Sequence, residues 1–197
     1  MNKPFAKKVM LAAALSGFIG LSALGANPSV LPLDRVNAAA TESTSSNDAK
    51  QALHTLNSFY KPALKGQFPG AVSGLTVGKS TKQHVIQTIG EPTMPGKQAS
   101  TFDLYGANMG NPGYAFSYQA NKIAEMRYFG TNVERQTNIG GITMKMVKQH
   151  WYAPTSTSTF KNGKSTQTKL TYNRGDYKLE FIFNSSTDLD HINLLQK

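Results

Sequence analysis

The chain has 197 residues, with 21 Lys and Arg against 11 Asp and Glu, a formal net charge of +10 and no cysteine. Hydrophobic residues make up 39% and charged residues 16%, too apolar a mix for a disordered chain and enough for one ordinary domain or two small repeats. The missing cysteines exclude a disulfide scaffold, a Cys-based zinc site, a thiol nucleophile and a lipid anchor on a modified Cys.

Residues 1–40 read as a secretory signal peptide. Lys3, Lys7 and Lys8 make a positive start, Val9 to Ala26 an 18-residue apolar run, and Val36-Asn37-Ala38-Ala39-Ala40 offers small residues for cleavage after Ala38 or after Ala40. The run is near the short end of what spans a bilayer, and the Ala-rich stretch behind it argues for cleavage, so no stable membrane anchor is expected. The expected location is secreted or extracellular, with cell-wall association. Cleavage removes Lys3, Lys7, Lys8, Arg35 and Asp34, leaving 17 basic and 10 acidic residues, a net +7. Such a charge attracts anionic, phosphate-rich wall polymers. The basic residues are dispersed, with no run beyond Lys7-Lys8, so no nucleic-acid patch is expected.

Residues 41–47 form a Ser/Thr-rich flexible lead-in to a single α+β domain over 48–197. Asn47 is placed to cap a helix over Asp48 to Lys61, in which Ala49, Ala52, Leu53, Leu56 and Phe59 recur at three- and four-residue spacing and Pro62 is the stop. Gly66, Pro69 and Gly70 mark a loop. Next comes a repeat: Gly78, Thr81, Val85, Ile89 and Pro92 recur as Gly140, Thr143, Val147, Trp151 and Pro154, a constant offset of 62. Each copy reads as a Gly turn, a hydroxyl cap and a short helix. In the first, Ser80 and Gln83 have the spacing of a capping box, and Gly90 sits where a helix end favours positive φ.

Alternating strands follow each helix. In the first copy, about residues 74–130, they run Thr101 to Tyr105, Tyr114 to Tyr118 and Ala124 to Phe129. In the second, about residues 136–195, they are centred on Leu170 and Tyr172, then Tyr177 to Phe183, then His191 to Leu194. Asn173 to Asp176 is a hairpin turn, and Gly106 to Gly113 a longer one. Thr155 to Thr168 reads as a polar loop of Ser, Thr and Lys. The expectation is two tandem helix-plus-meander units sharing one antiparallel sheet, with the helices on one face.

These residues carry a family resemblance. The Gly-x-Thr-x3-Val-x3-(Ile/Trp)-x2-Pro unit with its meander resembles the half-domain found in tandem in beta-lactamase inhibitory protein and singly in the outer-membrane assembly lipoprotein BamE (SmpA/OmlA). Over residues 48–195, the stretch from Gly66-x-Phe68-Pro69 to Gly78, then Val85 to Pro92, is similar to the YjgB-like family of secreted bacillar proteins of unknown function. The resemblance to the inhibitory protein implies a sheet face that grips a protein partner.

No motif points to catalysis, a cofactor or a metal. Gly74-x3-Gly78-Lys79-Ser80 is one residue short of a phosphate-binding loop. Ser58-x2-Lys61 and Ser158-x2-Lys161 lack the companion motifs of penicillin-binding enzymes. Arg174-Gly175-Asp176 reads as a hairpin rather than an adhesion tripeptide. His54, His84 and His150 read as exposed helix flanks, and only Asp188, Asp190 and His191 group acids with a histidine, short of a metal's three or four converging ligands. If Phe116, Met126, Leu170 and Phe181 pack on the helices, then Asp103, Ser117, Glu125, Arg127, Phe129, Lys169, Thr171, Lys178 and Glu180 point away. Of these, Arg127, Phe129, Lys169, Thr171, Lys178 and Glu180 are the candidate partner-binding residues, because Arg and aromatic side chains anchor protein interfaces. The expected function is therefore a non-enzymatic exported binding or inhibitory module. Its partner would be an exported or wall-associated protein. The alternative is an electrostatic binder of anionic wall polymers, and a glycan hydrolase is the third reading.

Overall fold

The computed structural model describes residues 48–97, 101–108, 111–131, 139 and 141–197. The expected signal peptide and lead-in lie outside the described residues, as does Gly140 of the expected second repeat copy. Helix α1 covers 48–58, and a turn and a short 3-10 segment, Pro62–Lys65, follow it. The helix therefore ends before Lys61: with no N–H on Pro62, the chain tightens into 3-10 geometry, closed by Gly66 at φ 70°.

Helix α2 is Lys82–Ile89 and α3 is Met144–His150. Their caps are equivalent: Thr81 accepts a hydrogen bond from the His84 N–H, and Thr143 from the Met146 N–H. The capping box of α2 is thus Thr81 with His84, whose ring accepts from the Thr81 N–H, and not Ser80 with Gln83. Ser80 turns its hydroxyl back to accept from the Thr76 N–H. Gly90 ends α2 with φ 84°.

Seven strands form a single antiparallel sheet: β1 (Asp103–Tyr105), β2 (Gly113–Gln119), β3 (Lys122–Gly130), β4 (Ser156–Asn162), β5 (Ser165–Arg174), β6 (Tyr177–Ser185) and β7 (Asp188–Gln196). Their order is β1-β2-β3-β7-β6-β5-β4, so the last strand of each meander meets the last strand of the other. The turns follow from local chemistry. Ala120 and Asn121 both take positive φ in the two-residue β2–β3 turn, while Gly163 and Gly175 lead the two-residue β4–β5 and β5–β6 turns.

The stretch from Thr155 to Thr168 is therefore not a loop but a hairpin containing all of β4. Every β4 residue is exposed, so no apolar alternation marks it. Its signals are the Thr and Ser content and the Asn162-Gly163 step.

Register assigns the faces, because directly paired residues point the same way. Phe116, Met126, Leu194, Leu179 and Tyr172 form one row, and Tyr114, Tyr128, Ile192, Phe181 and Leu170 the next. Ala52, Leu56, Phe59, Val85, Val147 and Trp151 from the helical segments join these rows in one buried cluster. Trp151, 2% exposed, sets its ring edge-on to Tyr60, Tyr172 and Phe181 at centroid distances of 5.0, 5.8 and 5.3 Å.

Candidate functional site

The face turned away from that cluster carries the candidate residues. One row crosses all seven strands: Leu104, Ala115, Arg127, Asn193, Glu180, Thr171 and Ser156. A second contains Ser117, Glu125, Leu195 and Lys178. A third aligns His191, Ile182 and Lys169, with the Phe129 ring 5.7 Å from the His191 ring. Arg127 and Phe129 come from β3, Lys178 and Glu180 from β6, and Lys169 and Thr171 from β5. The order β3-β7-β6-β5 brings these distant chain segments onto one face of the sheet, where Arg127, Phe129, Lys169 and Lys178 are half-buried and Thr171 and Glu180 are buried, at 6% and 8% exposure.

Two ion pairs hold Arg127 and Lys169 on this face. Arg127 Nε donates to Glu125 Oε1 at 2.8 Å, and its guanidinium lies 4.0 Å over the Phe102 ring. Lys169 Nζ is 3.1 Å from Glu180 Oε1. A fixed guanidinium with one stacked face has lost much of its rotamer freedom before any partner arrives, which lowers the ordering cost of binding.

Beside these lies a polar relay that the sequence did not point to. Asn162 Nδ2 donates to Gln167 Oε1 at 3.2 Å, and Gln167 Nε2 to Asn184 Oδ1 at 2.8 Å. Asn184 Nδ2 then reaches Asp188 Oδ2 at 3.1 Å and Asp190 Oδ1 at 3.3 Å, and Asp190 Oδ2 pairs with His191 Nδ1 at 2.5 Å. Gln167 and His191 are buried. The only sequence signal was the Asp188, Asp190 and His191 grouping. These three are drawn into Asn184 and into each other, and among the described residues no three His, Asp or Glu side chains converge as metal ligands.

Asp103 departs from expectation. It pairs with Phe116 and so points to the helix side, where it is 2% exposed, 2.8 Å from Lys82 Nζ, and accepts from the Gly96 N–H at 2.8 Å. Burial, with Asp103 and Glu91 adding to it, pushes the Tyr105 hydroxyl up to about 12, and burial raises Tyr114 and Tyr118 further still. Asp103 and its tyrosines form a structural cluster beneath the edge of the sheet.

The remaining motifs are structural too. Ser58 Oγ donates to the Thr55 carbonyl. Ser158 and Lys161 lie three apart on a strand and face opposite ways. Arg174 stacks 3.9 Å over Tyr60 and donates to its carbonyl at 2.6 Å, which engages the tripeptide's half-buried guanidinium within the fold. His54, His84 and His150 are exposed.

The chain belongs to the DUF4309 family, a domain of unknown function, which it matches over residues 56–195. It is 38% identical over 161 residues to the uncharacterized protein YjgB of Bacillus subtilis, covering 81% of this chain and 83% of that one. The crystal structure of that DUF4309 family protein superimposes with a TM-score of 0.68, at 38% identity, over 75% of this chain and 99% of that one. An extracellular protein containing a SCP domain from Bacillus anthracis gives a TM-score of 0.46 at 13% identity, over 65% of this chain and 46% of that one.

Proposed function

We propose that this protein is an exported, non-enzymatic binding or inhibitory module that engages a protein partner through the sheet face opposite the helices. The observation that carries the reading is the Arg127 arrangement. A guanidinium clamped between Glu125 and Phe102 is set in the same row as Asn193, Glu180 and Thr171. Pre-ordered Arg with flanking aromatic residues is the composition of interface hot spots. Likenesses between the two halves of the chain support the same reading. α2 with β1–β3 and α3 with β4–β7 have equivalent Thr caps and equivalent buried Val85 and Val147, and they meet across β3 and β7. We take them as copies of the helix-plus-meander half-domain that resembles the inhibitory protein's.

The test is a pull-down of residues 41–197 against washed walls and culture fluid at low and half-molar salt. A discrete protein band that survives salt and is lost with Arg127→Ala supports the reading. Retention on bare wall polymer that washes off with salt overturns it in favour of electrostatic wall binding, which rests on the net charge of +7 left after cleavage.

A further inference from the structure

The two edges of the sheet are finished differently. β1 is three residues long, and its outer side is occupied by Met94, which exchanges backbone hydrogen bonds with Leu104 at 3.2 and 2.8 Å. β4 runs for seven residues, all exposed and without a bulge against β5, and no described element pairs with its outer side. An unpaired strand of that length is a template for another strand, normally blunted by proline, a bulge or clustered charge. Within β4 only Lys161 serves that purpose.

We propose that β4 pairs antiparallel with β4 of a second copy about a two-fold axis at Thr159, joining two sheets edge to edge. Asn162 and Ser165 flank the two-residue turn, and such a pair exchanges both of its hydrogen bonds inside the hairpin. By alternation Ser156, Ser158 and Phe160 also spend their backbone groups on β5. Thr157, Thr159 and Lys161 then turn theirs outward, a set symmetric about Thr159. Thr159 faces the partner's Thr159 and Thr157 faces the partner's Lys161, for about six hydrogen bonds. No like charges oppose each other, and the two Lys161 residues lie about 13 Å apart, beyond the screening length. Phe160, 39% exposed, comes diagonal to the partner's Phe160, within aromatic reach at about 7–8 Å. Because every β4 residue is exposed, neither face is obstructed by a described helix.

The chain has no cysteine, so a single introduced thiol reports the register. In a hydrogen-bonded pair the two Cα atoms at position 159 are about 5.5 Å apart, inside the span of a disulfide, whereas those at position 157 are about 13 Å apart. Under mild oxidation Thr159→Cys should form a covalent dimer about tenfold or more faster than Thr157→Cys. Sedimentation of the unaltered protein from about 10 µM to about 1 mM should show a reversible dimer. Thr159→Pro removes one outward donor per copy and should raise the dimer Kd about tenfold or more, leaving the Trp151 fluorescence transition in place. Equal oxidation rates at 157 and 159, or a monomer at every concentration, overturns the proposal, and the cysteine comparison decides it even if the proline variant misfolds.

Discussion

Gly66→Ala isolates a close approach on which the fold depends. Gly66 closes the Pro62–Lys65 segment at φ 70° and accepts the Val77 N–H at 2.9 Å. A Cβ built there would lie 2.4 Å from Cε1 and Cζ of Tyr177, a side chain only 6% exposed at the start of β6. Two costs combine. The left-handed backbone costs a non-glycine residue about 1 kcal/mol, and forcing a methyl against a packed ring costs about 1–3 kcal/mol. The expected loss is about 2–4 kcal/mol, a sizeable part of the roughly 5–15 kcal/mol that holds a domain together. Gly163→Ala is the control, since Gly163 has φ 60° but nothing within 4 Å of where its new methyl would sit. It should lose only the backbone part, about 1 kcal/mol. Urea unfolding followed by fluorescence of Trp151, the single tryptophan and 2% exposed, measures both. Equal losses in the two variants, or a Gly66→Ala protein within about 0.5 kcal/mol of the parent, would refute the contact argument.

Trp151→Ala should cost about 3–5 kcal/mol, because it leaves a void among Tyr60, Tyr172 and Phe181 and strips the Asn57 side chain of a donor; calorimetry replaces fluorescence as the readout. Stability should fall as pH rises from 10 towards 12. Burial holds Tyr172 at about 12 in the folded chain against 10 when unfolded, so in that window the unfolded state binds fewer protons; in Tyr172→Phe the alkaline slope of a denaturation series should be shallower. Arg127→Ala removes a partly exposed ion pair and should change stability by less than about 1 kcal/mol while reducing partner capture about tenfold or more, whereas Lys169→Ala leaves the buried Glu180 carboxylate unpaired and should cost more stability than that; a loss of capture that tracks a loss of fold in Arg127→Ala would count against the face as a contact surface.

Much of the local structure was legible because it is written in local chemistry. Thr81 and Thr143 cap helices whatever they pack against. The aromatic alternation of Tyr114, Phe116 and Tyr118, and of Leu179, Phe181 and Phe183, makes strands with a buried side. Glu125, Arg127, Lys178 and Glu180 could be assigned to the far face by parity alone. Asp103 could not. Its parity depends on which residue of β2 it meets, and pairing with Phe116 rather than Ala115 turned it inward to Lys82.

By itself the sequence determined the short helices, six of the seven strands and the charge of the chain, each set by neighbours within a few positions. Only the tertiary structure decided that β4 is a strand, since exposed Ser and Thr gain their pairing from β5 and from no hydrophobic signal of their own. It also decided that β3 lies beside β7. That one pairing sets Arg127 of the first meander beside Asn193 of the second and in one row with Glu180, a strand further across. Residues more than fifty positions apart meet there through backbone register, which no local pattern encodes.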